Sequence, residues 1–207
     1  MANQWSHRTR LLIAQEAARL ILDEGIRDFQ LAKRKAAEHS GAGYGRGSLP
    51  ANEEIEQAIR QHRELFFTEQ DYRRERNLWS AAISAMQFLR DFNPRLVGPM
   101  LNSTAGRHAV ISLHAFSDAA EDILLRLIDA RYHYSSVERR LRFRGSYRNY
   151  PGFAFSMSGE EVETLVFSPS ELHHSPDSVV DGRPMVRASL ETARRRFEEL
   201  GGQGLAG

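Results

Sequence analysis

The stretch Leu96–Phe116, LVGPMLNSTAGRHAVISLHAF, constrains this chain more than any other. A short apolar run, Leu96-Val97, stops at Gly98-Pro99, and small polar residues follow through Gly106. The next run alternates. Ala109, Ile111, Leu113 and Ala115 fall on one side of an extended chain, and Val110, Ser112, His114 and Phe116 on the other. The first side is a core face. The second sets Ser112 and His114 among apolar neighbours, so the spacing predicts two strands around a polar turn, the later one carrying two polar groups on its second face.

This layout resembles the nucleotidyltransferase superfamily, the fold of DNA polymerase beta. Its signature is a strand ending in Gly-Ser, a turn, and a strand bearing Asp-x-Asp. The resemblance covers about residues 90–170. It implies a mixed sheet, a triphosphate held at the Gly-Ser turn, and carboxylates that bind two magnesium ions. Gly98 matches the signature glycine, but Pro99 stands where serine belongs and has no backbone N–H. The Asp-x-Asp positions fall on Val110-Ile111-Ser112, and the candidate third strand, Phe153–Met157, offers only Ala154 and Ser156. With these acid positions vacant, the resemblance implies a fold without its two-metal chemistry, a pseudo-nucleotidyltransferase with no catalytic residues, metal or cofactor. The vacated pocket is expected to be lined by Gly98, Asn102, Ser103, Arg107, Ser112 and His114. It would take a nucleotide or other small anion, or the protein would serve instead as a protein-binding module with the helical half as docking element. An active nucleotidyltransferase with an unusual site is the remaining enzymatic alternative.

Upstream, the pattern is helical. Residues 6–24 carry Leu11, Ala14, Ala18 and Ile21 as a stripe that Gly25 ends. Asp28 caps a second helix, Phe29–His39, with Leu31, Ala32 and Ala36 inward and Lys33, Arg34 and Lys35 mostly outward. A third helix follows a cap at Ser48 or Asn52, with Ile55, Ala58, Ile59, His62 and Phe66 inward. A fourth spans about 69–92. The run Gly41-x-Gly43-x-Gly45-x-Gly47 lacks the Lys-Ser/Thr of a phosphate loop and reads as a linker.

Downstream, a helix runs from the Ser117-Asp118 cap to about Arg131. Residues 137–144 alternate, a hairpin crosses Ser158-Gly159, and a loop-rich connector spans 169–184. A last helix runs over 185–200 with Val186, Leu190, Ala193 and Phe197 inward. The expected architecture is α+β: a helical N-terminal region (1–92), a small mixed β-sheet with flanking helices (93–200) and a flexible tail (201–207).

Composition narrows the partners. A formal net charge of +1 argues against bulk nucleic acid. A helix-turn-helix DNA-binding regulator through residues 6–66 is the runner-up, although Glu53-Glu54 open its third helix and would repel phosphates. The chain has no cysteine, hence no disulfide framework and no thiolate metal site, which fits a reducing, cytoplasmic setting. No segment reads as a membrane span. His108 and His114 are too far apart along a strand, about 20 Å, to share a metal ion. His114, bonded to Ser112, is the expected arrangement.

Overall fold

The computed structural model describes residues 2–40 and 49–203; the glycine run at 41–47 lies outside them. The chain divides into two compact units, each assembled from separate segments.

The helical unit comprises Met1–Tyr72, Asn102–Ala109 and Val179–Asp181. It holds α1 (Ala2–Glu24), α2 (Phe29–His39), α3 (Asn52–Phe66) and the first turn of α4 (Glu69–Phe88). Its core is built largely from alanine: Ala14, Ala17, Ala18, Ala32, Ala36, Ala37 and Ala58, with Ile13, Leu20, Leu22, Ile55 and Ile59 between them. Small side chains let helix axes approach closely, and the larger ones fill what remains. As expected, Asp28 caps α2; its carboxylate accepts the Leu31 N–H at 2.8 Å. Gly25 follows α1 with φ +70°, where a Cβ would lie 2.8 Å from His108 Cβ.

Three helix faces depart from the sequence expectation. Leu11 is 48% exposed, because the buried stripe of α1 is centred on Ile13, Ala17 and Leu20. Phe66 is 61% exposed at the C-terminal end of α3. Lys33 is buried, as are Ala32, Ala36 and Ala37 of the same helix, and Glu53 and Glu54 attract its ammonium; burial lowers its pKa. The α3 cap is Ala51, whose N–H donates to the Glu54 carboxylate at 2.7 Å, rather than Ser48 or Asn52. The segment 102–109 lies on the end of α1: the Arg107 N–H donates to the Leu22 carbonyl at 3.2 Å, and a Cβ at Gly106 would meet Leu22 backbone at 2.7 Å.

The second unit comprises Arg73–Leu101, Val110–Ser178 and Gly182–Gly207. It holds the rest of α4, β1 (Arg95–Val97), β2 (Ile111–Phe116), α5 (Ala120–Asp129), β3 (Tyr134–Phe143), β4 (Ser146–Met157), β5 (Glu160–Phe167) and α6 (Leu190–Gln203). The strand order is β1-β2-β5-β4-β3. β2 and β5 are parallel and the other pairs antiparallel, so the sheet is mixed, as expected. β1 and β2 are neighbours, with Leu96 opposite Leu113 and Val97 opposite Ser112.

Both hairpins turn on two residues with positive φ, Arg144-Gly145 (+50°, +82°) and Ser158-Gly159 (+53°, +81°). That geometry matches the right-handed twist of the flanking strands. Ile111, Leu113 and Ala115 are fully buried on one sheet face. By register Val162, Phe153 and Phe155 share that face. α5 packs on β4, and Phe88 of α4 meets Tyr132 and Phe155 at ring distances of 5.0 and 6.3 Å.

The last helix begins at Leu190, not Met185. Residue 188 instead extends the sheet: Leu96 and Ala188 exchange two backbone hydrogen bonds at 2.9 Å. Val186 consequently points outward, 64% exposed. β1 is only three residues long, and this added bridge satisfies groups that a helix at 185–189 would leave open.

Candidate functional site

The six residues expected to line one pocket are divided between the units. Gly98, Ser112 and His114 belong to the sheet unit; Asn102, Ser103 and Arg107 belong to the helical unit. Gly98 has φ +80° and sits beside Ser112, 3.8 Å from where a Cβ would be. It starts a turn in which the Leu101 N–H donates to the Gly98 carbonyl at 3.0 Å. The polar side chains are engaged locally. Asn102 donates to Glu56 at 3.1 Å. Arg107 grips Asp71 with Nε at 2.8 Å and Nη2 at 3.3 Å, and Asp23 lies 3.6 Å away. Ser103 is exposed, with φ +55°.

His114 is 2% exposed and does not bond Ser112. Ser112 Oγ donates to the Val110 carbonyl at 3.5 Å, a long bond. His114 Nδ1 instead accepts Nε–H of Arg187 at 3.0 Å. At His114 and Phe116 the second face of β2 is therefore covered by the connector between β5 and α6, while Ser112 stays partly exposed. Two rings under Arg187, Phe116 and Phe167, lie 5.0 and 4.8 Å from its guanidinium carbon. Arg187 Nη1 donates to the carbonyls of Glu171 at 2.7 Å and His174 at 2.9 Å, with Leu172 at 3.4 Å. The Glu171 side chain accepts from Tyr150 Oη at 3.0 Å and lies 3.4 Å from Arg148 Nη1. The Tyr150 ring stacks on Phe167 at 4.3 Å.

The electrostatics follow from this burial. Desolvation, then the adjacent Arg187 charge, hold the His114 pKa well below the usual range, so the ring is neutral and Nδ1 is free to accept. Burial pushes Arg187 down to about 10 and Tyr150 up to about 12, the latter helped by its bond to Glu171. Nothing local in the sequence singles out Arg187. Its partner lies 73 positions away, and the residue falls where helical spacing pointed to a different conformation.

The strand beside β2 is β5, and the candidate strand for a third carboxylate, Phe153–Met157, lies in β4. The register sets Glu163 directly opposite Ser112, so one carboxylate does stand on this face. Arg139 holds it in a two-pronged pair, with Nε at 2.9 Å and Nη2 closer still. Among the described residues, no group of three His, Cys, Asp or Glu side chains is arranged to hold a metal ion. No described helix is long and apolar enough to cross a membrane.

The helical unit presents a different surface. Leu12, Gln15, Glu16 and Arg19 of α1, His39 and Ser40 at the end of α2, and His62 of α3 line a groove of about 590 Å³. Arg19, then His39, pull the Glu16 pKa down to about 2, against the opposing effect of burial. Leu12 (51%), Leu65 (74%) and Phe66 (61%) are all exposed, and the His62 and Phe66 rings lie 4.7 Å apart, tilted by 45°. Sequence reasoning placed His62 and Phe66 in the core because they continue the Ile55–Ile59 spacing. No protein-family model, curated protein or solved structure matches this chain.

Proposed function

We propose that the protein is a non-catalytic, nucleotidyltransferase-like module that binds a protein partner through the α1–α3 face of its helical unit. The observation that carries this reading is the apolar surface at the end of α3, where Leu65 and Phe66 are more than half exposed beside the groove at Leu12 and His62. Exposed large apolar residues grouped around a concave surface mark interaction sites more often than isolated ones do. The residues expected to bind a small ligand point the same way, since Asn102, Arg107 and His114 already spend their hydrogen bonds inside their own unit. The acid positions offer no second reading: Val110 and Ser112 cannot replace two carboxylates, and Glu163 is neutralised by Arg139. DNA binding through α2 and α3 is disfavoured because Lys33 is buried near Glu53 and Glu54 rather than offered to a phosphate.

A photo-crosslinking residue at position 66, introduced in the cells that make the protein, should yield one dominant protein adduct. Leu65→Asp should reduce that adduct at least about tenfold, the loss expected from removing a central apolar anchor. Crosslinks that are diffuse, or unaffected by Leu65→Asp, would overturn the reading.

A further inference from the structure

We infer that β3 is an interface between two copies of this chain, paired antiparallel about a twofold axis at Val137. This goes beyond the partner site proposed above and rests on a different unit. β3 is the last strand of the sheet, and among the described residues it pairs only with β4. It is ten residues long, and Tyr134, Ser135, Ser136, Glu138, Arg139 and Arg140 are exposed. A free edge of that length is a template for another strand.

The hairpin determines which backbone groups are free. The two-residue turn Arg144-Gly145 makes Phe143 and Ser146 a hydrogen-bonded pair. Bonded pairs then alternate down the ladder, so residues 135, 137, 139 and 141 direct N–H and C=O at β4, and 134, 136, 138, 140 and 142 direct theirs outward. One contact checks this parity: the outward carbonyl of Arg142 accepts the Asp177 N–H at 2.8 Å. That contact also ends the free edge; within 134–140 the Glu138 carbonyl takes only a long 3.5 Å bond from the exposed Arg139 guanidinium, which a partner strand would displace.

Only certain registers let outward groups face outward groups, and side-chain charge selects among them. A twofold at 138 or 140 sets Glu138 or Arg140 against its own copy, and one at 139 opposes Arg139 to itself and confines the bonded pairing to residues 138–140, because the Arg142 carbonyl is already taken. Like charges directly opposite are destabilising. A twofold at 136 strands Arg140 beyond the partner's edge. A twofold at 137 uses the whole open segment and opposes no like charges. It pairs Tyr134 with Arg140, Ser135 with Arg139, Ser136 with Glu138, and Val137 with Val137. The first couples a half-exposed ring to a guanidinium, the third a hydroxyl to a carboxylate. Val137 forms the close, non-bonded pair at the axis. Two five-stranded sheets thereby become one continuous sheet.

The chain has no native cysteine, so single substitutions report the register cleanly. Across the axis, Val137→Cys places two thiols on Cα atoms about 4.5 Å apart, within disulfide reach. Arg139→Cys leaves its copies about 13 Å apart along the strands, out of reach. Under mild oxidation V137C should form a covalent dimer and R139C should not. Ser136→Pro removes only an outward N–H, which an edge strand tolerates. It should weaken the dimer in sedimentation at least about tenfold while leaving the circular dichroism unchanged. Equal cross-linking of V137C and R139C, or faster cross-linking of R139C, would overturn the register. A wild-type chain that stays monomeric up to about millimolar concentration, as it would if the edge served a different peptide, would overturn the dimer itself.

Discussion

Arg187→Ala should destabilise the sheet unit by about 3 kcal/mol. The substitution leaves the buried His114 Nδ1 and the part-buried Glu171 carbonyl without their donor, while the exposed His174 carbonyl can turn to water. Each abandoned buried acceptor costs on the order of 1–3 kcal/mol, and partial hydration of the vacated space offsets some of the sum. In thermal unfolding this corresponds to a fall of roughly 6–12 °C for a chain of this size. Arg187→Lys should recover less than half, because an ammonium cannot reproduce a fork that meets an imidazole and two carbonyls while lying over two rings. The same cluster sets a pH dependence. His114 has a depressed folded pKa, so its contribution is present above the unfolded value of about 6.5 and is lost as pH falls below it. Urea titrations between about pH 7 and 5 should show stability falling with a slope approaching 1.4 kcal/mol per pH unit. A slope unchanged in Arg187→Ala, together with an unshifted midpoint, would mean that the cluster contributes nothing to folding.

Asp71→Ala should destabilise the helical unit by about 2–3 kcal/mol. The Asp71 carboxylate closes the first turn of α4, accepting the Thr68 N–H at 2.9 Å and the Thr68 hydroxyl at 2.8 Å, and it holds Arg107. Losing a cap costs roughly 0.5–2 kcal/mol. The charge-assisted bond to Arg107 adds a discounted amount, since that side chain is 50% exposed. Arg107 and the Thr68 donors hold the Asp71 pKa far below the usual carboxylate range. Its stabilisation is therefore complete above about pH 4 and is lost only as pH falls further, a window separate from that of His114. Chemical denaturation followed by amide resonances of each unit distinguishes the two: D71A should weaken residues of α1–α3, and R187A those of the sheet. Asp71→Asn should fall between wild type and alanine, because it keeps one acceptor oxygen.

How much of this was legible in the sequence depends on whether the determinant is local. Asp28 before Phe29–His39, Gly25 after α1 and the Ser158-Gly159 turn are short-range devices, and each is found where the residues indicate. The alternation of Ile111, Leu113 and Ala115 likewise identified a strand and its buried side. The α+β class followed from helices upstream and alternating runs downstream. What was missed depends on partners distant in sequence. Lys33 looked solvent-facing because its neighbours are charged, but the alanine face on either side carries it inward. Residue 188 reads as helical by spacing, yet the open edge of a three-residue strand claims it. Glu163 could not be set beside Ser112 without knowing that β5 inserts between β2 and β4. His114 was rightly singled out as a polar group among apolar ones. Its partner Arg187 arrives from a connector with no sequence signature, and it covers the His114 end of that face of β2.

We propose that the face of β2 bearing Ser112 and His114 is a structural cluster and does not hold a metal–nucleotide complex. Manganese titration of the isotope-labelled protein, with and without a nucleoside triphosphate, tests it most directly, because paramagnetic broadening reports the metal's position residue by residue. The expected result is no selective broadening of amides at 110–116 or 160–165 at micromolar manganese, with or without nucleotide. Selective, saturable broadening centred on Ser112 and Glu163 that depends on nucleotide would contradict it.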